Sequence, residues 1–173
     1  MAAGTPVNLF FRGLESPADV TGLEEIIRRT GVFHPEEIPV ARELLDDCLV
    51  QGGSGYYRCF LAQDRAGILG YALYVEVAGT IGTFELYWLA VDPSFQGTGV
   101  GHQLMAELER QVRNAAGQRI YISTSAKPEY RPARQLYLSC GYELAGRLPN
   151  YFRQGDDLLY YHKTLEAGPC ISR

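Results

Sequence analysis

No apolar run in these 173 residues reaches the roughly 20-residue length that a helix needs to cross a bilayer. The stretch Met1 to Arg12 has no basic segment followed by a long apolar one, so no secretory leader is expected either. Lysine and arginine, 16 against 20 acids, form no run that could track a phosphate backbone, and the net charge is −4. Nucleic acid is therefore not an expected partner, nor is a membrane. The four cysteines, Cys48, Cys59, Cys140 and Cys170, have no Cys-x-x-Cys spacing, and the three histidines, His34, His102 and His162, fall in different segments. No metal site is expected from them. A chain of this size also needs no disulfide framework, so reduced thiols in a cytoplasmic protein are the economical expectation. Cys140 reads as a small apolar filler on the inner face of a helix.

What the chain does have is glycine at a telling place. Val91-Asp92-Pro93-Ser94-Phe95-Gln96-Gly97-Thr98-Gly99-Val100-Gly101 sets three glycines between an apolar, strand-like run and an amphipathic helix. Glycine lets the backbone turn and approach a ligand closely, and the amides opening a helix favour an anion. A phosphorylated ligand is expected there. The spacing is wrong for a dinucleotide fingerprint, because His102 stands where the third glycine would fall after Gly97 and Gly99. It is wrong for a P-loop too, since Gly101 is followed by His102 and Gln103 rather than Lys-Ser/Thr.

The rest of the chain supplies the frame. Val7 to Arg12 reads as a strand, and Ser16-Pro17 opens a helix that Gly31 ends. Ile38, Ala41, Leu45, Cys48 and Leu49 trace a second helix, closed by the loop Gln51 to Gly55. Tyr57 to Gln63 and Ile68 to Val77 form a strand-turn-strand pair, and Thr83 to Val91 a further strand. Val100, Leu104, Leu108 and Val112 stripe the next helix, with Gly117 in the expected C-cap place. Then come a strand at Arg119 to Thr124, a short helix from about Pro132, and strands at Tyr142 to Leu148 and Leu158 to Leu165 joined by an Asn150 to Asp157 loop. The order β-α-α-β-β-β-α-β-α-β-β predicts an α/β fold: one domain over 1–173, core about 7–165, with a mixed twisted sheet of six to seven strands and about four helices. Residues 166–173 read as a dispensable tail.

Two motifs carry a resemblance. Gln96, Gly99 and Gly101 spell Gln-x-x-Gly-x-Gly, and Leu136-Tyr137-Leu138-Ser139-Cys140-Gly141-Tyr142 follows in order, after the intervening strand and helix. Together they resemble the acetyl-coenzyme A loop and the Leu-Tyr-x-x-x-Gly-Phe/Tyr signature of the GCN5-related N-acetyltransferases. The resemblance implies a direct transfer of acetyl from acetyl-CoA to an amine within a ternary complex, with no metal. It implies that Gln96, Gly97, Thr98, Gly99, Val100, Gly101 and His102 surround the pyrophosphate, with main-chain amides from Gly97 to His102 pointing at it. It also implies that a bulged strand offers the main chain of Leu89, Ala90 and Val91 to the pantetheine arm and acetyl carbonyl.

Glu85 is the sole acid in the strand-like run Thr83 to Val91. Its place resembles that of the family's general base, where partial burial would raise the carboxyl toward neutral pH. A substrate contact or a solvated strand-end glutamate is the other reading. Tyr137 stands where the family's general acid stands and can protonate the departing thiolate; Ala133, Leu136, Tyr137 and Cys140 also share a helical stripe, which is the packing alternative. Many relatives have asparagine where this chain has Tyr130, so Tyr130 or Arg134 would have to replace its hold on the cofactor. The acceptor is open: a small amine or amino acid, or a peptide N-terminus or lysine, met by Thr30 to Glu37 and Tyr151-Phe152-Arg153. Monomer and homodimer are both open. A catalytically silent acyl-CoA sensor on the same fold is the rival function.

Overall fold

Caps set the helix limits. In the computed structural model, which describes residues 9–165, α1 (Pro17–Thr30) starts after an extended Ser16 and stops at Gly31, whose φ is 66°. The Asp19 carboxylate accepts from the amides of Glu15 and Ser16 at 2.8 and 3.2 Å and from the Arg12 guanidinium at 2.8 and 2.9 Å. Those partners, Arg12 first, hold its carboxyl down at about 2. Helix α2 (Glu37–Gln51) ends at Gly52, again in the left-handed region. Helices α3 (Val100–Asn114) and α4 (Arg131–Ser139) complete the set, with short 3₁₀ turns at Pro93–Phe95 and Pro128–Tyr130. No helix among the described residues is long and apolar enough to cross a membrane.

Seven strands order as β1-β2-β3-β4-β5-β7-β6. They are β1 (Phe10–Arg12), β2 (Tyr57–Gln63), β3 (Ile68–Glu76), β4 (Thr83–Val91), β5 (Arg119–Ser125), β6 (Glu143–Arg153) and β7 (Asp156–Thr164). The sheet is mixed: β4 and β5 are parallel, whereas β1–β2, β2–β3, β5–β7 and β6–β7 are antiparallel. The described residues divide into two compact units, 9–75 with 88–105 and 76–87 with 106–165.

In the first unit one side of the sheet is closed by α1 and α2. Val20, Leu23, Ile26 and Ile27 of α1 and Ile38, Ala41, Leu44, Leu45 and Cys48 of α2 cluster with Leu61, Tyr71, Leu73 and Ala90. Burying such a set is the dominant favourable term in folding. In the second unit Phe84, Leu86, Ile120, Ile122 and Tyr161 are buried, and Lys163 of β7 reaches Glu109 of α3 and the Cys140 carbonyl after α4.

Two expectations change. The left-handed residue after α3 is Ala116, at φ 58°, not Gly117. Gly117 is needed for space: a Cβ there would lie 2.3 Å from Val112 Cγ1 and 2.8 Å from Phe84 Cε2. The segment expected as a loop, Asn150 to Asp157, is mostly strand, because β6 runs on to Arg153 and β7 begins at Asp156. Asn150 takes φ 53° inside it, and its side-chain oxygen accepts from the Gly155 amide, so a bulged hairpin end uses the turn-forming residues. The first strand is described only as Phe10–Arg12; Val7, Asn8 and the tail 166–173 lie outside the described residues.

Candidate functional site

In the first unit, the end of β4 is pinned before the glycine loop begins. The Asp92 amide donates to the Leu69 carbonyl at 2.8 Å, one Asp92 carboxylate oxygen accepts from the Ser94 amide at 3.0 Å, and the other takes the Arg29 guanidinium at 2.6 Å. Asp92 is 5% exposed, so this pair ties the 3₁₀ turn Pro93–Phe95 to α1. An Asp-Pro at a strand end is a turn signal legible in the sequence; its arginine, 63 residues away, is not.

The loop follows with Gly97 at φ 77° and Gly99 at φ 93°. A Cβ on either would meet no protein atom within 4 Å, so both glycines stand over open space that a ligand's phosphates can fill. The Gly99 carbonyl accepts from Gln103, placing it as the start of α3. The amides of Val100 and Gly101, in the first turn of α3, have no carbonyl one turn back within a helix and are suited to an anion. Two expected ligand groups are used within the loop. The Thr98 amide donates to Phe95 O at 3.3 Å and its hydroxyl to the same carbonyl at 2.6 Å, while Gln96 Nε2 reaches Val91 O at 3.4 Å. These bonds shape the turn. His102 is exposed on the first turn of α3.

Leu89, Ala90 and Val91 close β4, and sequence reasoning missed what seats them. A Cβ on Gly70 of β3 would lie 2.6 Å from the Ala90 carbonyl oxygen and 3.2 Å from Val91 Cα. Only glycine permits that approach. A lone glycine inside an apolar strand is a recognised sign of close backbone contact, so the signal was there. A Gly70→Ala protein is expected to lose about 1–3 kcal/mol of stability from overpacking. Urea unfolding measures the loss, and parental stability would remove the role given to Gly70.

The second unit holds Glu85, Tyr130, Arg134 and Tyr137. The β4–β5 ladder pairs Thr83–Leu86 with Arg119–Ile122, leaving Ser123 as the first β5 residue beyond it. Glu85 is half-buried, and Ser123 Oγ donates to its Oε1 at 3.3 Å. Burial pushes the Glu85 carboxyl above its ordinary value, and the Ser123 hydrogen bond offsets part of that. Tyr160, opposite Ser123 on β7, has its phenol raised by burial, then by the Glu85 and Tyr151 charges.

Tyr137 is 6% exposed, with its ring centroid 5.9 Å from that of Tyr161 at 56°. Burial above all, then Tyr161 and Tyr130, pushes its phenol well above the ordinary range, so it stays a proton donor at neutral pH. Glu85 and Tyr137 therefore meet consecutive residues of β7, Tyr160 and Tyr161 respectively. Tyr130 ends the 3₁₀ turn Pro128–Tyr130 just before α4. Arg134 has a settled place: its Nη1 donates to the carbonyls of Ser125 and Lys127 at 2.7 and 2.8 Å. Ser125 Oγ in turn donates to the buried Asp156 carboxylate. Arg134 thus clamps the crossing from β5 to α4 that delivers Tyr130 and Tyr137. Among the described residues no group of three or more His, Cys, Asp or Glu is placed to hold a metal.

Comparison with known proteins bears on this arrangement. The family described as Acetyltransferase (GNAT) domain matches residues 55–144. A crystal structure of an acetyltransferase of the GNAT family from Desulfovibrio desulfuricans superposes with a TM-score of 0.85 and 35% identity, covering 90% of this chain and 98% of that one. An uncharacterised N-acetyltransferase of Methanocaldococcus jannaschii is 31% identical over 123 residues, 68% of this chain and 75% of that protein. A Mycobacterium leprae protein is 34% identical over 98 residues, 56% of this chain, and the match spans only 26% of that protein's length. A Vibrio cholerae spermidine N-acetyltransferase, in complex with CoA and spermine, shares the fold at a TM-score of 0.72 and 18% identity, covering 90% and 95% of the two chains.

Proposed function

The chain belongs to the GNAT acetyltransferase family, and from that premise we propose that it moves an acetyl group from acetyl-CoA to a primary amine by direct attack in a ternary complex. One observation carries the reading. Gly97 and Gly99 hold left-handed backbone beside open space just before α3, whose first-turn amides can take a pyrophosphate.

The residues divide the work. The amides of Val100 and Gly101 take the phosphate oxygens, and the main chain of Leu89–Val91, seated on Gly70, orients the pantetheine arm and the thioester carbonyl. Glu85 accepts a proton from the acceptor's ammonium, directly or through one water, and frees the lone pair that attacks the thioester carbon. The C–N bond forms, the C–S bond breaks, the Tyr137 hydroxyl gives its proton to the departing thiolate, and the second proton of the attacking nitrogen passes through water to restore the tyrosine. Arg134 holds the β5–α4 crossing through the Ser125 and Lys127 carbonyls, and Tyr130 or Arg134 takes over the cofactor contact of the asparagine that many relatives carry. The acceptor is a small amine or amino acid, with a peptide N-terminus or lysine as the second class. A cytoplasmic setting suits acetyl-CoA as donor and the free thiols Cys48, Cys59 and Cys140.

Release of free CoA thiol from acetyl-CoA, screened against small amines, amino acids and peptides, tests the proposal. Turnover with any class supports it and names the acceptor. Tight acetyl-CoA binding with no turnover across the panel would make the chain an acyl-CoA sensor instead. A Glu85→Gln protein is expected to lose about 10²-fold in kcat at neutral pH with acetyl-CoA affinity intact. The deficit narrows at alkaline pH, where the acceptor amine loses its own proton. An unchanged rate at neutral pH makes Glu85 a bystander.

A further inference from the structure

Glu85 has one hydrogen-bond partner among the described residues, and that partner sits where the strands part. Glu85 pairs in register with Tyr121, and Ser123, two residues along β5, shares that face of the sheet. The pairing of β5 with β4 has ended by Ser123. It donates to Glu85 Oε1 at 3.3 Å, across 38 positions of sequence. The other carboxylate oxygen, Oε2, has no partner among the described residues.

We propose that Ser123 is the positioning residue for Glu85: by holding Oε1 it leaves Oε2 to take the acceptor's proton. The inference rests on Glu85 being the general base. On its own strand the titratable Tyr87 stands two residues along, on the same face. On β5, Tyr121 stacks on His162 of β7 at 5.7 Å and 26°. Tyr160 of β7 senses the Glu85 charge, and Tyr151 of β6 senses Tyr160 in turn. The guanidinium in register two residues before, Arg119, is held by Thr83 Oγ1 and Gln118 Oε1. No cation pairs with Glu85 among the described residues. Burial and Ser123 are therefore the two influences that set its protonation, and they oppose one another.

The signs follow. A base must be ionised to act, so activity falls as pH drops through its pKa. Removing the hydroxyl leaves burial unopposed, and the carboxyl rises further. A Ser123→Ala protein is expected to lose about 10-fold in kcat/KM on the acid side and to move the acidic limb up by about half to one pH unit. Its KM for acetyl-CoA should stay parental. Ser123→Thr keeps a hydroxyl and should restore the limb.

The experiment has two readouts. Carbon NMR titration of the Glu85 carboxyl, assigned by the resonance lost in Glu85→Gln, follows the proton directly and needs no turnover. It should move up in Ser123→Ala and return in Ser123→Thr. The pH–rate profile, taken with the acceptor that gives fastest thiol release, should follow it. A parental carboxyl titration in Ser123→Ala, or a lower rate with an unshifted limb, overturns the role of Ser123. If Ser123→Ala does not fold, Ser123→Cys, a weaker donor, decides the matter on the same titration. Should Glu85→Gln keep the parental rate and limb, the base assignment itself fails, a result separate from any seen at Ser123.

Discussion

A Gly99→Val protein is expected to fold and to show no rise in Tm with acetyl-CoA, whereas the parent at a hundredfold excess over its Kd rises by about 5–10 °C. The parental shift follows from mass action, since a ligand bound only by the folded state stabilises it. Two effects of the substitution act together. Gly99 has φ 93°, a backbone conformation that a β-branched residue resists, and nothing of the protein lies within 4 Å of where its Cβ would stand. The valine therefore meets no wall in the fold, and its methyl groups occupy the space assigned to phosphate. Left-handed strain at one residue is small beside the roughly 5–15 kcal/mol stability of a domain, so loss of folding is not the expected outcome. Circular dichroism separates the two. A folded Gly99→Val protein that still gains the parental shift would remove the loop from the cofactor site.

Tyr137→Phe is expected to keep its fold and its acetyl-CoA shift yet to lose about 10²–10³-fold in kcat, the scale of a positioned proton donor. The ring is the part that packs: it lies 5.9 Å from Tyr161 in a residue that is 6% exposed, and phenylalanine preserves it. The hydroxyl has no hydrogen-bond partner among the described residues, so its removal breaks no contact within the chain. Burial keeps that phenol protonated through neutral pH, which predicts no basic limb from Tyr137 in the ordinary assay range. Single-turnover rates with the identified acceptor isolate chemistry from product release. Equal rates for mutant and parent would return Tyr137 to the core.

The candidate site was legible where it is continuous in sequence. Gly97, Gly99 and the opening of α3 lie within a few residues of one another, and left-handed glycines before a helix are a local property. Tyr137 was found the same way, through a seven-residue string. Ser123, Arg29 and Gly70 were not singled out, for different reasons. Ser123 and Arg29 act across 38 and 63 positions, and nothing near either residue records its partner. Gly70 was marked by its own oddity inside an apolar strand, a sign that went unread.

Helix and strand limits divide along the same line. Ser16-Pro17, Gly31 and Gly52 end helices by their own backbone preferences, and α1, β2 and β4 begin and end where the residues say. The end of α3 and the β6–β7 hairpin do not. Gly117 is glycine because Val112 and Phe84 press on it, while Ala116 takes the left-handed turn that glycine would ordinarily take. Pro149 and Asn150 look like loop residues and lie in the register irregularity between Leu148 and Arg153, Asn150 left-handed, yet β6 pairs with β7 again at Arg153. Local chemistry fixes what a residue's own φ, ψ and hydrogen-bonding groups favour. Register, close packing and the partner of a buried carboxylate depend on segments far apart in the chain, and those exist only once the sheet has formed.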